Sequence, residues 1–249
     1  MNIPLKSVGD LAVMRVSCRM AAEVLAEVAA AVAPGVTTGE LDQLARRRIA
    51  ERQARPSFLG YRGYPAAMCI SVNEEVIHGI PGRRVIRTGD VVSLDVGVLK
   101  GGFHGDCATT VMVGVTDPEV IRLVEVTRRA LAAAVAAAGP GRRLSDVSHA
   151  VQRVAEASGC SVVREFVGHG VGRHLHEDPQ IPNYGRPGCG PVLKPGMTLA
   201  VEPMVNLGRR GVYVLDDGWT VVTADGRPSA HFEHTVAVLE EGSEVLTVA

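Results

Sequence analysis

The chain has 249 residues, 46% hydrophobic and 21% charged, with 26 basic against 27 acidic side chains, which suits one large or two small globular units and excludes a disordered chain. So even a balance gives no electrostatic ground for nucleic acid or an anionic membrane as a direct partner. No apolar run approaches the roughly 18 residues of a membrane span, and the start, Met1 to Lys6, lacks the architecture of a secretory signal, so a cytoplasmic location is expected.

Residues 7–33 carry apolar side chains at helical spacing (Leu11, Met14, Met20, Val24, Leu25, Val28), and Pro34-Gly35 stops that helix. Thr37-x-x-Glu40 then reads as the capping box of a second helix, through about residue 53. Val91–Leu99 and Phe103–Val113 read as strands of a hairpin turning at Lys100-Gly101. A third helix is predicted over 117–138, stopped by Gly139-Pro140-Gly141, and Ser145-Asp146 opens a fourth, through about residue 158. The five cysteines are scattered and never spaced CxxC, which predicts reduced and mostly buried thiols.

The chain contains itself twice. Pro34 and Pro140 are offset by 106 residues, and Gly89 to Asp95 matches Gly196 to Glu202 at an offset of 107, apolar positions included. Asp106 and Glu233 each open a β-branched run. The expected fold is α+β, with two pseudo-symmetric helix–helix–strand halves at about 7–115 and 116–249. Their strands would join in one central antiparallel sheet, with a single site at the seam and no linker between the halves.

With the hairpin turning at Lys100-Gly101, Asp95 and Asp106 would lie directly opposite, Cβ atoms about 4.5–5.5 Å apart on one face. Like charges so placed repel, and Asp is disfavoured in strands, so the pattern asks for a divalent cation. Glu202 and Glu233 repeat it in the second half. Four carboxylates exceed the charge of one such ion, which favours two. The competing reading, ion pairs with the abundant arginines, does not explain the matched positions and their apolar flanks. His169, in Gly168-His169-Gly170, supplies the one imidazole, and a mostly oxygen donor set suits Mn, Fe(II) or Co better than structural zinc. His104 and His149 read as ordinary structural histidines.

At this point the residues resemble a known family, the type 1 methionine aminopeptidases of the pita-bread metallopeptidase fold. The resemblance runs from about Ser7 to Val248. It rests on Gly60-Tyr61-Arg62-Gly63-Tyr64-Pro65, Cys69 to Glu74, Val76 to Pro81, Asp95 with Asp106, Gly168-His169-Gly170, His174-Leu175-His176-Glu177, Glu202-Pro203 and Glu233-His234-Thr235. It implies that Asp95, Asp106, His169, Glu202 and Glu233 hold two divalent ions (Co, Mn or Fe(II), with Zn or Ni as further options), Asp106 and Glu233 bridging. A metal-bridged water would then be the nucleophile, with Glu202 moving its proton. His176 would bond the scissile carbonyl and His78 the peptide beyond it. The methionine pocket would comprise Phe58, Tyr61, Tyr64, Cys69, Leu175 and Trp219, and Asn73, Glu75 and Ser229 fall where some relatives hold a Na or K ion. Phe58, Leu175 and Arg62 depart from the pattern of many bacterial relatives, which have Cys, Phe and His there. Neither a zinc-binding N-terminal extension nor the helical insertion of type 2 enzymes is expected.

The activity so implied is removal of N-terminal methionine from nascent proteins when the second residue is small, by a monomer associated with the ribosome. Two alternatives stay open. One is an Xaa-Pro or creatine-directed enzyme of the same fold, which would carry a larger N-terminal part. The other is a binding protein that has lost its metals, against which all five donor positions are intact. A serine protease is disfavoured by the absence of a GxSxG elbow. The chain's own Asn2 exceeds the small-residue limit, so Met1 is expected to remain, and intact-mass measurement showing its loss would contradict the specificity.

Overall fold

In the computed structural model, residues 3–249 are described, so Met1 and Asn2 and any statement about their processing lie outside the described residues. Two helix pairs recur as expected: α1 (Val8–Ala30) with α2 (Thr38–Glu51), and α3 (Pro118–Ala137) with α4 (Leu144–Ala157). Ser7 and Asp10 cap α1 reciprocally, as Thr37 and Glu40 cap α2, so two orphan amides are satisfied at each helix start. α1 ends before the predicted residue 33, with Ala31 as its cap. α4 starts at Leu144 rather than at Ser145-Asp146, because the Asp146 carboxylate reaches back to the Arg143 amide, 2.9 Å away.

After the first helix pair come β1 (Arg55–Pro56), β2 (Met68–Val72), β3 (Glu75–Ile77), β4 (Val91–Lys100) and β5 (Phe103–Met112). After the second come β6 (Ser161–Val162), β7 (Gly168–Gly170), β8 (Glu177–Ile181), β9 (Thr198–Val201), β10 (Met204–Asn206), β11 (Val212–Val214), β12 (Val221–Thr223), β13 (Ser229–His231), β14 (Glu233–Val238) and β15 (Ser243–Val245). Nine of them form the central antiparallel sheet, in the order β1-β4-β5-β14-β9-β7-β8, with β2 on β4 and β15 on β14. The halves therefore meet where β5 pairs β14, through Glu233 opposite Ala108 and His234 opposite Cys107.

Leu94, Val96 and Val98 of β4 pack in one core with Val24, Val28, Leu41 and Ile49 of α1 and α2. Leu199, Val201, Val236 and Val238 pack in another with Leu123, Val124, Val147 and Val151 of α3 and α4. Strand alternation sends the intervening residues to the other face. The β4–β5 hairpin corrects the expected register. Lys100 faces Phe103, and Gly101-Gly102 is the turn, with φ of 61° and 81°. A two-residue turn of that type needs positive φ at both central positions, which Gly-Gly supplies and Lys100-Gly101 does not. Asp95 consequently faces Ala108, and Asp106 faces Gly97. The shift by two residues keeps both acids on one face but makes them diagonal neighbours rather than direct ones.

All five cysteines are free and only Cys189 is exposed. No helix among the described residues is long and apolar enough to cross a membrane. α1 crosses β5 at Gly105, where a Cβ would stand 2.5 Å from Cys18 Cα. Gly105→Ala is expected to destabilise by about 1–3 kcal/mol through this backbone clash, whereas Gly139→Ala, with open space around it, should stay within about 0.5 kcal/mol. Urea unfolding of the two variants checks the contrast.

Candidate metal centre

The sheet register assembles the donors. Asp95 and Glu233 lie on either side of Ala108, on adjacent strands. Val201 faces His234, so Glu202, one residue on, comes alongside Glu233. Two residues along each strand runs a second row, in which Asp106 faces Gly97 and His169 faces Ala200. With side chains alternating along each strand, all five donors share one face. The positions between them are largely Gly97, Ala108 and Ala200, which leave the space above the sheet open. Thr235 is the larger exception, and its hydroxyl bonds the Asp106 backbone at both N–H and C=O (3.1 and 2.8 Å).

Asp106, His169 and Glu233 are buried, and one donor atom from each lies within 4.8 Å of the others. His169 Nε2 is 3.6 Å from Glu202 Oε1 and 4.0 Å from Asp106 Oδ2. Its Nδ1 faces the Gly170 carbonyl oxygen at 2.9 Å, which can only accept, so the proton sits on Nδ1 and the Nε2 lone pair points into the cluster. Burial pushes Asp106 up to about 7. Burial and then the charge of Asp106 push Asp95 well above the carboxylate range, and burial followed by the neighbouring acids does the same to Glu202 and Glu233. Burial and then His176 lower His169 to about 3, so its imidazole is neutral. Asp95 Oδ1, Asp106 Oδ1 and Glu233 Oε1 are buried without a hydrogen-bond partner. Among the described residues, the only basic groups at ion-pair distance from these acids are His169 and His231. The arginines pair elsewhere, Arg52 with Glu23 and Glu27 and Arg15 with Glu244. Orphaned carboxylate oxygens beside a neutral imidazole fit divalent cations, and the alternative of arginine pairing does not describe these acids.

The donors floor a cavity of about 140 Å³, whose walls include Phe58, Tyr61, Tyr64, Cys69, Leu175 and Trp219, together with His78, His176 and Arg62. Phe58, Tyr64, Cys69 and Leu175 are buried in one apolar cluster. Gly97 admits the Phe58 ring, since a Cβ there would lie 2.7 Å from Phe58 Cε1. Trp219 meets Tyr64 edge to face at 5.1 Å. His176 sits 4.1 Å from His169, centroid to centroid, and its Nδ1 is 2.8 Å from the Tyr61 hydroxyl. His78 holds a left-handed backbone (φ 60°), an unusual conformation for a residue with a Cβ. Gly79 fixes it, with its N–H on Ser71 Oγ and its carbonyl taking the Ile70 amide and the Tyr64 hydroxyl. Burial lowers both His78 and His176 to about 4. Asn73 and Ser229 are also neighbours, the Ser229 amide donating to the Asn73 carbonyl, while the Glu75 carboxylate is engaged by Arg84 at 2.6 Å.

One residue at the site escaped the sequence reading. His231 is buried, its Nε2 lies 3.7 Å from Glu202 Oε2 without a hydrogen-bond partner, and burial lowers it to about 3. Its spacing of two before Glu233 was the available signal.

A model of the metallopeptidase family M24 matches residues 12–240. The chain belongs to that family. Within M24, it is 52% identical over 242 residues to methionine aminopeptidase 1 of Bacillus subtilis, covering 97% of this chain and 98% of the relative. It superposes on the crystal structure of methionine aminopeptidase from Thermotoga maritima with a TM-score of 0.98 at 48% identity, each chain covered completely. Prolidase from Pyrococcus furiosus superposes at 0.79 with 22% identity and is covered over 65% of its length, a likeness of fold alone. The pita-bread fold implied by the resemblance is thus the M24 fold, and M24 membership makes the chain a divalent-metal protein.

The pH dependence of metal uptake follows from these shifts. The carboxylates are raised above their unfolded values, so below about pH 7 the metal-free fold holds protons that a cation must displace. The histidines are depressed and already neutral there, so they release none. Metal binding is expected to release protons and to strengthen from pH 5.5 to pH 8. Titration calorimetry in buffers of different ionisation enthalpy checks this, and a pH-independent affinity would contradict it.

Proposed function

We propose that residues 1–249 form one catalytic domain that hydrolyses N-terminal methionine from nascent proteins and peptides whose second residue is small. The observation that carries this reading is a cluster of uncompensated carboxylates opening onto a closed apolar slot, with two non-donor histidines at its rim. Asp95, Asp106, His169, Glu202 and Glu233 would hold two divalent ions. Mn, Fe(II) or Co suits the donor set, and Zn or Ni is also compatible. When bound, the ions supply a water of lowered pKa and a Lewis-acid contact for the carbonyl oxygen.

The chain's own groups do the rest. Glu202, its carboxylate partly open to the cavity and held between His169 and His231, accepts the proton lost in attack and delivers it to the leaving amine. His176 Nδ1 lies 2.8 Å from the Tyr61 hydroxyl, and in the tautomer where that hydroxyl donates, Nε2 carries the proton for the developing oxyanion. His78, braced by Gly79, contacts the peptide beyond the cleaved bond. Phe58, Tyr61, Tyr64, Cys69, Leu175 and Trp219 exclude water and accept an unbranched apolar side chain. Asn73, Glu75 and Ser229 are the positions for a Na or K ion. A cytoplasmic monomer acting at the ribosome completes the reading.

The Xaa-Pro alternative is weaker, because the prolidase relative, at 22% identity, shares the fold alone. The binding-protein alternative lacks any lost donor. The metal-loaded enzyme is expected to cleave Met-Ala-Ser and to leave Xaa-Pro peptides intact, and faster proline substrates would refute the assignment. Asp106→Ala should abolish turnover, whereas His78→Ala should lower kcat by about 10²–10⁴-fold with metal content unchanged, as read by elemental analysis.

A further inference from the structure

The loop that carries Leu175 and His176 has no ladder of its own. Between β7 and β8, residues 171–176 run without strand pairing. The start of the loop is tied to β9 and β5, the Val171 amide on the Thr198 carbonyl and the His104 amide on the Gly172 carbonyl, and its end is held from the far end of the chain. Lys6 Nζ meets Glu177 Oε2 at 2.5 Å, with both side chains only 5% exposed. The other Glu177 oxygen accepts the His174 amide at 3.1 Å. Lys6 is itself anchored by its amide, which donates to the Gly196 carbonyl at 2.7 Å.

Two glycines border this lysine, Gly196 at its backbone, where a φ of 89° already calls for glycine, and Gly172 at its side chain. A Cβ at Gly196 would stand 2.7 Å from the Lys6 carbonyl oxygen. A Cβ at Gly172 would run into Lys6 Cε and stand 2.7 Å from both Lys6 Nζ and Glu177 Oε1. Gly172 does not need a left-handed backbone, so its lack of a side chain answers to space alone. A second, exposed pair, Asp10 with Arg173 at 2.9 Å, lies beside the first, and Arg173 covers the Phe103 ring.

A buried ion pair adds little net stability over an apolar pair of the same shape. What it adds here is direction: one carboxylate, fixed by a lysine, holds the amide two residues before His176. We infer that Lys6 is a positioning residue for His176, setting the imidazole through Glu177 and the His174 amide. This rests on the reading of His176 as the group that bonds the scissile carbonyl. Lys6 touches neither the metal donors nor the slot, and His169 is held independently by β9.

The test is a double-mutant cycle on the metal-loaded full chain with Met-Ala-Ser as substrate. Lys6→Met should lower kcat on the order of 10- to 100-fold, the cost of misplacing a group that acts only in the transition state, with KM and metal content little changed. In a His176→Ala background, Lys6→Met should cause no further loss. Multiplicative losses in that background, or unchanged kcat with only a lowered Tm, would overturn the assignment. If Lys6→Met fails to fold because Glu177 is left unpaired, Lys6→Met/Glu177→Gln removes both charges and reads the same cycle. Unaltered turnover in His176→Ala alone would instead remove the role of His176 on which the assignment rests.

Discussion

The structure is governed by the mutual repulsion of four carboxylates held out of water at the seam of two half-sheets. Among the described residues, Asp95, Asp106, Glu202 and Glu233 have no lysine or arginine at ion-pair distance, and three of their oxygens have no hydrogen-bond partner. Without a cation, burial and mutual repulsion keep protons on them, and divalent ions turn the same placement into attraction. Much of the local sequence serves this. Glycine and alanine clear most of the positions between the donors, Thr235 ties β14 to the backbone of Asp106, and the Gly170 carbonyl sets the tautomer of His169.

The two rows of donors also explain how one sheet serves both metal and peptide. Its helix-facing residues pack the helix pairs into two cores, and a third cluster joins α1 to β9 and β14 across the seam. In the central sheet the halves meet through two residue pairs, and β3 pairs β12 across the same boundary. Close packing is therefore delivered up to the edge of the site from both sides, while the cavity above is walled by loops and short strands carrying Tyr61, His78, Leu175, His176 and Trp219. The groups proposed to touch substrate sit on these loops and are braced one at a time: His78 by Gly79 and the Tyr64 hydroxyl, His176 by Tyr61.

Much of this was legible in the sequence, because a duplication writes the same signals twice. The repeated Gly89–Asp95 and Gly196–Glu202 segments revealed both the halves and the acids before any geometry was available. What was not legible depended on choices that spacing leaves open. Lys100-Gly101-Gly102 offers two turns, and only the demand for positive φ at both central residues selects Gly101-Gly102, which moved Asp95 and Asp106 from opposite to diagonal. His231 stands two residues before Glu233, across Phe232, and a lone histidine outside any repeated segment carries no signal of its own. Lys6 and Glu177 are 171 residues apart, and nothing in either local sequence announces the other.

The narrow junction between β5 and β14 has a consequence for biosynthesis. The donors are distributed from residue 95 to residue 233, and ribosomes release chains from the N-terminal end. A growing chain that has emerged only as far as the first half presents two acids on one hairpin, an incomplete ligand set that water and counter-ions can satisfy. The proposed ligand set is complete only where β14 lies on β5 and brings Glu233 beside Ala108, so a chain that lacks this one strand pair offers the ions fewer oxygens than the finished fold.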